Sequence, residues 1–196
     1  MTAVSEGETT DAELVRHARS GDRSAFGELV LRHQDRVYGY LLRTLGSAAD
    51  AQDVTQTTFL LAWRKLDQFR GEAKLTTWLT QIAVNQAASL RRKKRPKAQL
   101  NTEDHRVSAA DASAERPSAR LETADRDRLV QEALGRLSPE HREVLVLKEF
   151  QDHDYKEISD LVGCPVGTVR SRLHRARCEL ASLLAPHRES LLVGTG

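Results

Sequence analysis

The segment 155–184, YKEISDLVGCPVGTVRSRLHRARCELASLL, constrains the fold most, because it predicts two helices joined by a short turn. The first helix is predicted to end at Gly163, a residue suited to the left-handed conformation that closes many helices. Pro165 fits the first turn of a second helix, where its missing N–H leaves no bond unmade. Apolar residues then recur with helical period at Val169, Leu173, Ala176, Leu180, Leu183 and Leu184. The segment therefore predicts a helix–turn–helix.

The face of the second helix opposite this apolar stripe is polar and basic. It carries Ser171, His174, Arg175 and Cys178, with Arg170, Arg172 and Arg177 on its flanks. Guanidinium groups pair with guanine edges and with phosphates, so such a helix after a tight turn suits the DNA major groove. The alternative is an ordinary amphipathic helix with solvated arginines. We favour DNA reading, because the turn geometry is more informative than the charge.

Composition limits the remaining possibilities. A chain of 196 residues, 39% of them hydrophobic, can form one domain or two small ones. The net charge is only +2, so nucleic-acid affinity must come from local basic clusters. Neither a secretory segment nor an apolar run of spanning length occurs, so we expect a cytoplasmic protein without membrane insertion. The two cysteines are too few for a disulfide framework and are expected to be reduced thiols.

The N-terminal half predicts four helices: a short one after residue 10, then 22–45, 50–66 and 75–95. In the helix 50–66 the second half is apolar nearly all round, which predicts a central position. Its first half carries Asp53, Gln56 and Leu60 at helical spacing. This stripe suits either a partner-helix face or a solvated helix start, where the helix dipole favours acids.

The loop 67–74 and the run 91–97 bracket the last of these helices. The loop contains a single aromatic residue, Phe69, and a glycine, Gly71. The run, RRKKRPK, has six basic residues in seven positions. Cations are favourable at any helix C-terminus. A block this dense more often marks a nucleic-acid or phosphate contact.

The segment 96–125 lacks aromatic residues and has few large apolar ones, so it predicts a flexible linker. After it, helices are predicted over 126–137 and 141–150, the latter preceded by the start signal Ser138-Pro139. No strand-like alternation, internal repeat or glycine-rich phosphate loop is present. The predicted fold class is all-α, with two small helical domains joined by a flexible linker.

Three of these segments together resemble the bacterial sigma-70 family, in its compact extracytoplasmic-function (ECF, group IV) type. DAQDVTQTTFLLAW (50–63) is similar to the family's DAEDLVQETFLRAW, and LTTWLTQIAVNQAASLRRKKR (75–95) to its F-x-x-WL-x-x-IA-x-N-x-x-x-D-x-x-R. The second domain is similar from LSPEHREVLVLKEF onward. The resemblance implies sigma region 2 at 11–95, a linker at 96–125 and sigma region 4 at 126–186, between tails at 1–10 and 187–196.

The resemblance implies a sigma factor, not an enzyme, that directs promoter-specific initiation by core RNA polymerase without a cofactor. Its partners would be the β′ clamp helices, the β flap, and double-stranded and melted promoter DNA. Contacts to the clamp helices would come from Asp50, Asp53, Gln56 and Leu60. The −10 element would be bound by Phe69, Gly71, Asn85, Arg91, Arg92 and Lys93. The −35 element would be read by Thr168, Arg170, Ser171, His174 and Arg175.

Several positions depart from the family pattern. Gln52 replaces an acid and Thr57 stands where Glu is common, so the polymerase-binding helix lacks two negative charges. One hypothesis is that a Ser/Thr kinase restores charge at Thr57 or its neighbours; the alternative is neutral drift. The residues Leu75, Ser89 and His174 also differ, which leaves the promoter sequence open. Control by an anti-sigma factor is also left open.

Two other classes of function compete with the sigma factor. A conventional helix–turn–helix regulator with an N-terminal sensor or dimerisation domain explains 155–184 equally well. It does not explain the order of the helix 50–66, the Phe69 loop and the basic run. An enzyme is the weakest alternative, because the histidines are scattered. A metal site from Cys164, His174 and Cys178 has too few ligands, so no metal is expected.

Overall fold

A computed structural model describes residues 9–98 and 118–187, with side chains described over 9–94 and 125–187. The helices are α1 (Asp11–Arg19), α2 (Arg23–Leu45), α3 (Ala48–Lys65), α4 (Leu75–Ala98), α5 (Ser118–Arg136), α6 (Pro139–Glu149), α7 (Tyr155–Val162) and α8 (Val166–Leu184). Short 3-10 turns follow α3 and α8 at Leu66–Gln68 and Ala185–His187. These ranges contain no strand, and the all-α prediction is confirmed. None of the helices within them is long and apolar enough to cross a membrane.

Local caps determine where the helices of the first domain begin and end. The Asp22 side chain accepts from the N–H groups of Ser24 and Ala25 and starts α2. Gly46, at φ 73°, ends it in the left-handed conformation that glycine adopts without strain. Ser47 then caps α3 by accepting from the N–H of Asp50. The helix therefore begins at Ala48, two residues before the predicted start.

Both ends of the predicted linker are helical. Helix α4 continues through Pro96 to Ala98, and α5 begins at Ser118, eight residues before the predicted start of the second domain. The middle of the predicted linker, 99–117, lies outside the described residues. The predicted tails at 1–8 and 188–196 also lie outside them.

The second domain is built around the apolar stripes of α5 to α8. Leu134, Leu145, Ile158, Val169 and Leu173 are all buried to 1% exposure or less, one or more from each helix. These aliphatic side chains from four helices pack together, and the buried cluster they form continues into the first domain.

The helix–turn–helix forms as the sequence predicts. Asp154 and Glu157 form a capping box at the start of α7, and Gly163 ends that helix at φ 66°. The Ser159 hydroxyl donates to the Cys164 carbonyl (2.6 Å) across the turn. Helix α8 begins at Val166, so Pro165 is its N-cap residue and does not lie within the first turn as predicted.

The two domains lie against each other, α2 and α4 of the first facing α5, α6 and α7 of the second. Arg36 donates to the Gln151 carbonyl, and the Gln151 amide donates back to the Arg36 carbonyl. At the other side of the contact, Tyr40 and Arg91 both bond to Glu143. The chain is therefore folded into a closed arrangement that its sequence did not predict.

The buried side chain of His153 makes the free energy of unfolding depend on pH. His153 is 3% exposed, and burial lowers its pKa despite the nearby Glu157 carboxylate, with Arg36 acting in the same direction. Because the folded pKa lies below the unfolded value of about 6.5, the unfolded chain takes up the proton first as pH falls. Stability is therefore lost from about pH 6.5 down to the folded pKa.

We expect wild-type protein to lose more thermal stability between pH 7.5 and 5.5 than a His153→Gln variant, which cannot titrate. Each unit of pKa depression corresponds to about 1.4 kcal/mol, or roughly 3–6 °C in Tm for a chain of this size. Circular dichroism melts at the two pH values measure the difference. Equal losses of Tm in both proteins would show that His153 is not the cause. The lowered pKa values of Asp154 and Glu157 affect stability only at more acidic pH.

Candidate promoter and polymerase interface

The predicted −35 residues lie on the outward face of α8. The opposite face is fixed by Val169, Leu173 and Ala176, which are almost fully buried. Of the predicted set, Thr168 is half-buried and Arg170, Ser171, His174 and Arg175 are exposed. The Ser171 hydroxyl donates to the Thr168 carbonyl (3.0 Å), and the Arg170 guanidinium lies over the Tyr155 ring. The arrangement presents two arginines, a histidine and hydroxyl groups together on a single helical face.

The flanks of this face are engaged within the domain. Arg177 pairs with Glu149 of α6 at 2.6 Å, and this hydrogen bond raises the pKa of the guanidinium. Arg172 contacts the sulfur of Cys164 in the turn. The Cys178 sulfur lies 3.9 Å from His174 Nε2 on the exposed face. Within the described ranges no three His, Cys, Asp or Glu side chains are grouped as a metal site.

The predicted polymerase-binding residues lie on the outer face of α3. Asp53, Gln56 and Leu60 are exposed, Leu60 to 61%, whereas Asp50 is half-buried and ion-paired with Lys94 of α4. The inner face of the helix, Ala51, Val54, Thr58, Phe59 and Ala62, is buried. Asp53, Gln56 and Leu60 are therefore exposed because the opposite face of α3 packs into the core.

Trp63 extends this surface and was missed by sequence reasoning. It is 36% exposed, one turn after Leu60, and its ring packs against Phe26 with centroids 4.9 Å apart. The apolar second half of the helix predicted a central position, which is wrong for Leu60 and Trp63. The sequence signal for this exposed surface was a leucine and a tryptophan one helical turn apart, on the same stripe as Asp53 and Gln56.

The three threonines of α3 differ in accessibility. Thr57 is exposed and its hydroxyl donates to the Asp53 carbonyl at 2.9 Å. Thr58 is fully buried and donates to the Val54 carbonyl, and Thr55 is half-buried. Only Thr57 therefore lies on the same outer face as Asp53 and Gln56.

Of the predicted −10 residues, Asn85 and Arg92 share one side of α4, and Phe69 and Gly71 lie in the loop before it. Phe69 is half-buried against Trp78, with ring centroids 5.3 Å apart, and Gly71 adopts φ 76°. Asn85 is exposed and lies seven residues after Trp78, and Arg92 lies seven residues further. Residues at this spacing share a helix face, so the track from Trp78 to Arg92 is roughly 21 Å long.

The basic run at the end of α4 is divided between protein contacts and solvent. Arg92 and Lys93 are exposed. Arg91 is half-buried and pairs with Glu143 of the second domain at 2.9 Å, and Lys94 pairs with Asp50. The side chains after Lys94 lie outside the described residues. Two of the cations predicted to meet DNA therefore already have partners in the closed form.

Comparison with known proteins matches both domains. The family model for sigma-70 region 2 matches residues 29–97, and that for sigma-70 region 4 matches 127–180. RNA polymerase sigma-H factor of Pseudomonas aeruginosa is 35% identical over 90% of this chain and 94% of its own length. ECF RNA polymerase sigma-E factor of Haemophilus influenzae is 33% identical over 90% and 96%.

Two solved structures share the architecture. The sigma factor RpoE, in complex with the anti-sigma factor NepR from Bartonella quintana, aligns with a TM-score of 0.69 at 28% identity, over 82% of this chain and 96% of that one. CnrH, in complex with the cytosolic domain of CnrY, aligns with a TM-score of 0.61 at 31% identity, over 90% and 97%. Together, the two family models matched in order and the full-length relatives show that the chain belongs to the sigma-70 family, in its ECF type.

Proposed function

We propose that this chain binds core RNA polymerase through α3 and directs initiation at promoters whose −35 and −10 elements it contacts with separate domains. The observation that carries the proposal is the presence of regions 2 and 4 in one chain, each with an exposed face of suitable chemistry. A conventional regulator would have no reason to carry region 2. The polymerase supplies the active site, and this subunit supplies recognition and melting. We place it in the cytoplasm with the polymerase.

The outer face of α3 has the composition of a binding hot spot. Leu60 and Trp63 are large apolar side chains held in place by the buried inner face of the helix. Asp53 and Gln56 surround them with polar groups. Interfaces of this kind concentrate their energy in a few apolar anchors inside a polar rim. We assign this surface to the β′ clamp helices.

Run-off transcription with purified core polymerase tests the function and the surface together. We expect the chain alone to convert core to promoter-specific initiation, which a regulator cannot do without a holoenzyme. Leu60→Ala should weaken core binding about tenfold, equivalent to roughly 1.4 kcal/mol, because it removes an exposed anchor. Its high exposure means that folding is little affected.

Leu31→Ala is the matched control, since Leu31 is 65% exposed on α2. Its core affinity should equal that of the wild type. No specific transcript from core plus wild-type chain would overturn the proposed function. A normal transcript with unchanged affinity of Leu60→Ala would instead move the binding surface away from α3.

The −10 contact is proposed for the track that begins at Phe69 and continues along α4. A base leaving the duplex must regain its stacking energy on a side-chain surface. The Phe69–Trp78 pair offers aromatic surface at the loop, and Asn85, two turns after Trp78 on α4, offers an amide donor and acceptor. Arg92 and Lys93 continue the track with charge for the backbone phosphates. Together these groups favour binding of a single melted strand.

The −35 contact is proposed for the outward face of α8, with Arg175 as a base-reading residue. We expect Arg175→Ala to weaken holoenzyme binding to the promoter by about 1–3 kcal/mol and to relax base preference within the −35 element. Promoters found by mapping transcript starts supply the duplex for anisotropy titrations. Arg177→Ala is the control, because Arg177 is paired with Glu149 inside the domain. Equal loss for both variants would indicate a general charge effect and contradict base reading.

Phosphorylation at Thr57 is proposed as a means of restoring charge to the polymerase-binding face. Its exposure and its position one turn after Asp53 support it, and the buried Thr58 is a poor substrate. We expect Thr57→Glu to bind core several-fold more tightly than Thr57→Gln, with the difference shrinking as salt rises. Equal core affinities of Thr57→Glu and Thr57→Gln would show that negative charge at this position does not strengthen polymerase binding. Undiminished transcription by Thr57→Ala in cells would exclude the switch.

Control by an anti-sigma factor is proposed from the two solved relatives. RpoE is in complex with the anti-sigma factor NepR, and CnrH is in complex with the cytosolic domain of CnrY. This chain shares their architecture at 28% and 31% identity, so a partner of the same class would find a similar pair of domains.

A further inference from the structure

The ring of Tyr155 lies beside the recognition helix α8. Tyr155 is the first residue of α7, where the capping box of Asp154 and Glu157 fixes the backbone. Its half-buried side chain packs against the buried apolar cluster. A tyrosine has only two rotatable side-chain bonds, so a ring packed in this way is a rigid surface. The helix–turn–helix therefore holds a fixed aromatic face next to the helix that carries the predicted −35 residues.

Three cations surround this ring. The guanidinium carbon of Arg170 lies 5.8 Å from the ring centroid, and Lys148 Nζ lies 5.9 Å from it. The hydrogen bond to Glu149 and, to a smaller extent, the nearby Tyr155 hydroxyl raise the pKa of Arg177, so Arg177 lies close to the hydroxyl end of the ring. A cation within about 6 Å over an aromatic face is attracted by the quadrupole of the ring.

Two of the three cations also bind other groups of the domain. Lys148 donates to the His153 carbonyl at 3.2 Å, and Arg177 pairs with Glu149 at 2.6 Å. Within the described ranges Arg170 makes neither a hydrogen bond nor an ion pair, and its side chain is exposed. Contact with a ring face leaves the N–H donors at the edge of a guanidinium available for a ligand. The Tyr155 ring therefore restrains Arg170 without occupying its donors.

The position of Arg170 around α8 indicates which part of the DNA it meets. Opposite the buried stripe, the centre of the outward face lies near Ser171, and Arg175 lies about 45° from that centre at 3.6 residues per turn. Arg170 lies about 100° from it, on the flank shared with Arg177. In a helix that lies in the major groove, central residues face the base edges and flanking residues face the phosphates along the groove. The flank position therefore indicates a phosphate contact for Arg170.

We propose that Tyr155 is a positioning residue for −35 binding, whose ring holds the Arg170 guanidinium toward a backbone phosphate. The inference rests on the proposed function, because it names the DNA group that one residue of α8 contacts. A mobile arginine side chain loses rotamer freedom when it binds, and a side chain already held against a ring loses less. Tyr155 thus strengthens promoter binding through Arg170, and base preference is left to the centre of the helix.

A double-mutant cycle on holoenzyme binding to promoter duplex tests the proposal. Arg170→Ala should weaken binding about tenfold and reduce the slope of log K against log salt by about 0.9, as loss of one phosphate contact requires. Its loss should be equal on intact and −35-substituted duplexes. Tyr155→Leu, which keeps apolar bulk and removes the ring, should weaken binding about threefold in the wild-type background and have no effect in the Arg170→Ala background.

Two further variants are the controls. Tyr155→Phe keeps the ring and should bind as the wild type does. Arg128 lies on α5 with 61% of its side chain exposed, so Arg128→Ala removes the same charge from the same domain and should leave the salt slope unchanged. Additive losses in the cycle would overturn the positioning role, and so would weak binding by Tyr155→Phe. A relaxed −35 base preference of Arg170→Ala would contradict the phosphate contact.

Nuclear magnetic resonance of the free full chain tests the contact without DNA. The ring current should shift the Arg170 Nε–H resonance upfield in wild type and Tyr155→Phe relative to Tyr155→Leu, and an unshifted wild-type resonance would overturn the proposal. If circular dichroism shows that Tyr155→Leu is unfolded, the wild-type resonance and the salt slope of Arg170→Ala decide. An upfield shift together with no run-off transcription by wild type would refute the proposed function and leave the Tyr155–Arg170 contact standing.

Discussion

Burial of one apolar stripe on each amphipathic helix determines which side chains remain for partners. In α8 the burial of Val169 and Leu173 turns Arg175 and its neighbours outward. In α3 the burial of Ala51 and Ala62 leaves Asp53, Gln56 and Leu60 on the surface. Burial of the apolar stripe sets the rotation of each helix about its own axis, and neither DNA nor polymerase is needed for this. Most of the proposed recognition residues are thus held on helices, and the proposed contacts at Phe69 and Gly71 lie in a loop.

The contact between the domains combines apolar packing with hydrogen bonds. One buried apolar cluster runs from the first domain into the second. Glu143, Arg142 and Gln151 add hydrogen bonds across the contact. Contacts between domains of one chain generally permit relative movement more readily than the packing inside each domain does. This division of strength suits a protein whose two halves must work on distant parts of one duplex.

The features that depend on neighbouring residues were predictable from the sequence, and those that depend on distant ones were not. Helix ends at Gly46 and Gly163 were predicted because capping is local, although α4 passes Pro96 against that rule. The stripe on α8 follows from helical period alone. The roles of the candidate residues came from the family resemblance, not from periodicity. Tyr40 and Glu143 are 103 residues apart, so no local pattern indicated their bond or the occupation of Arg91.

That separation also orders the events of folding. The contacts within each domain join helices that are close in sequence, whereas those between the domains, such as Arg36 with Gln151, join residues 115 apart. Contacts of long sequence separation form late, because a long loop must close first. During synthesis the N-terminal domain folds before the C-terminal one has been made. The bonds of Tyr40 and Arg91 to Glu143 can therefore form only after the second domain has been synthesised.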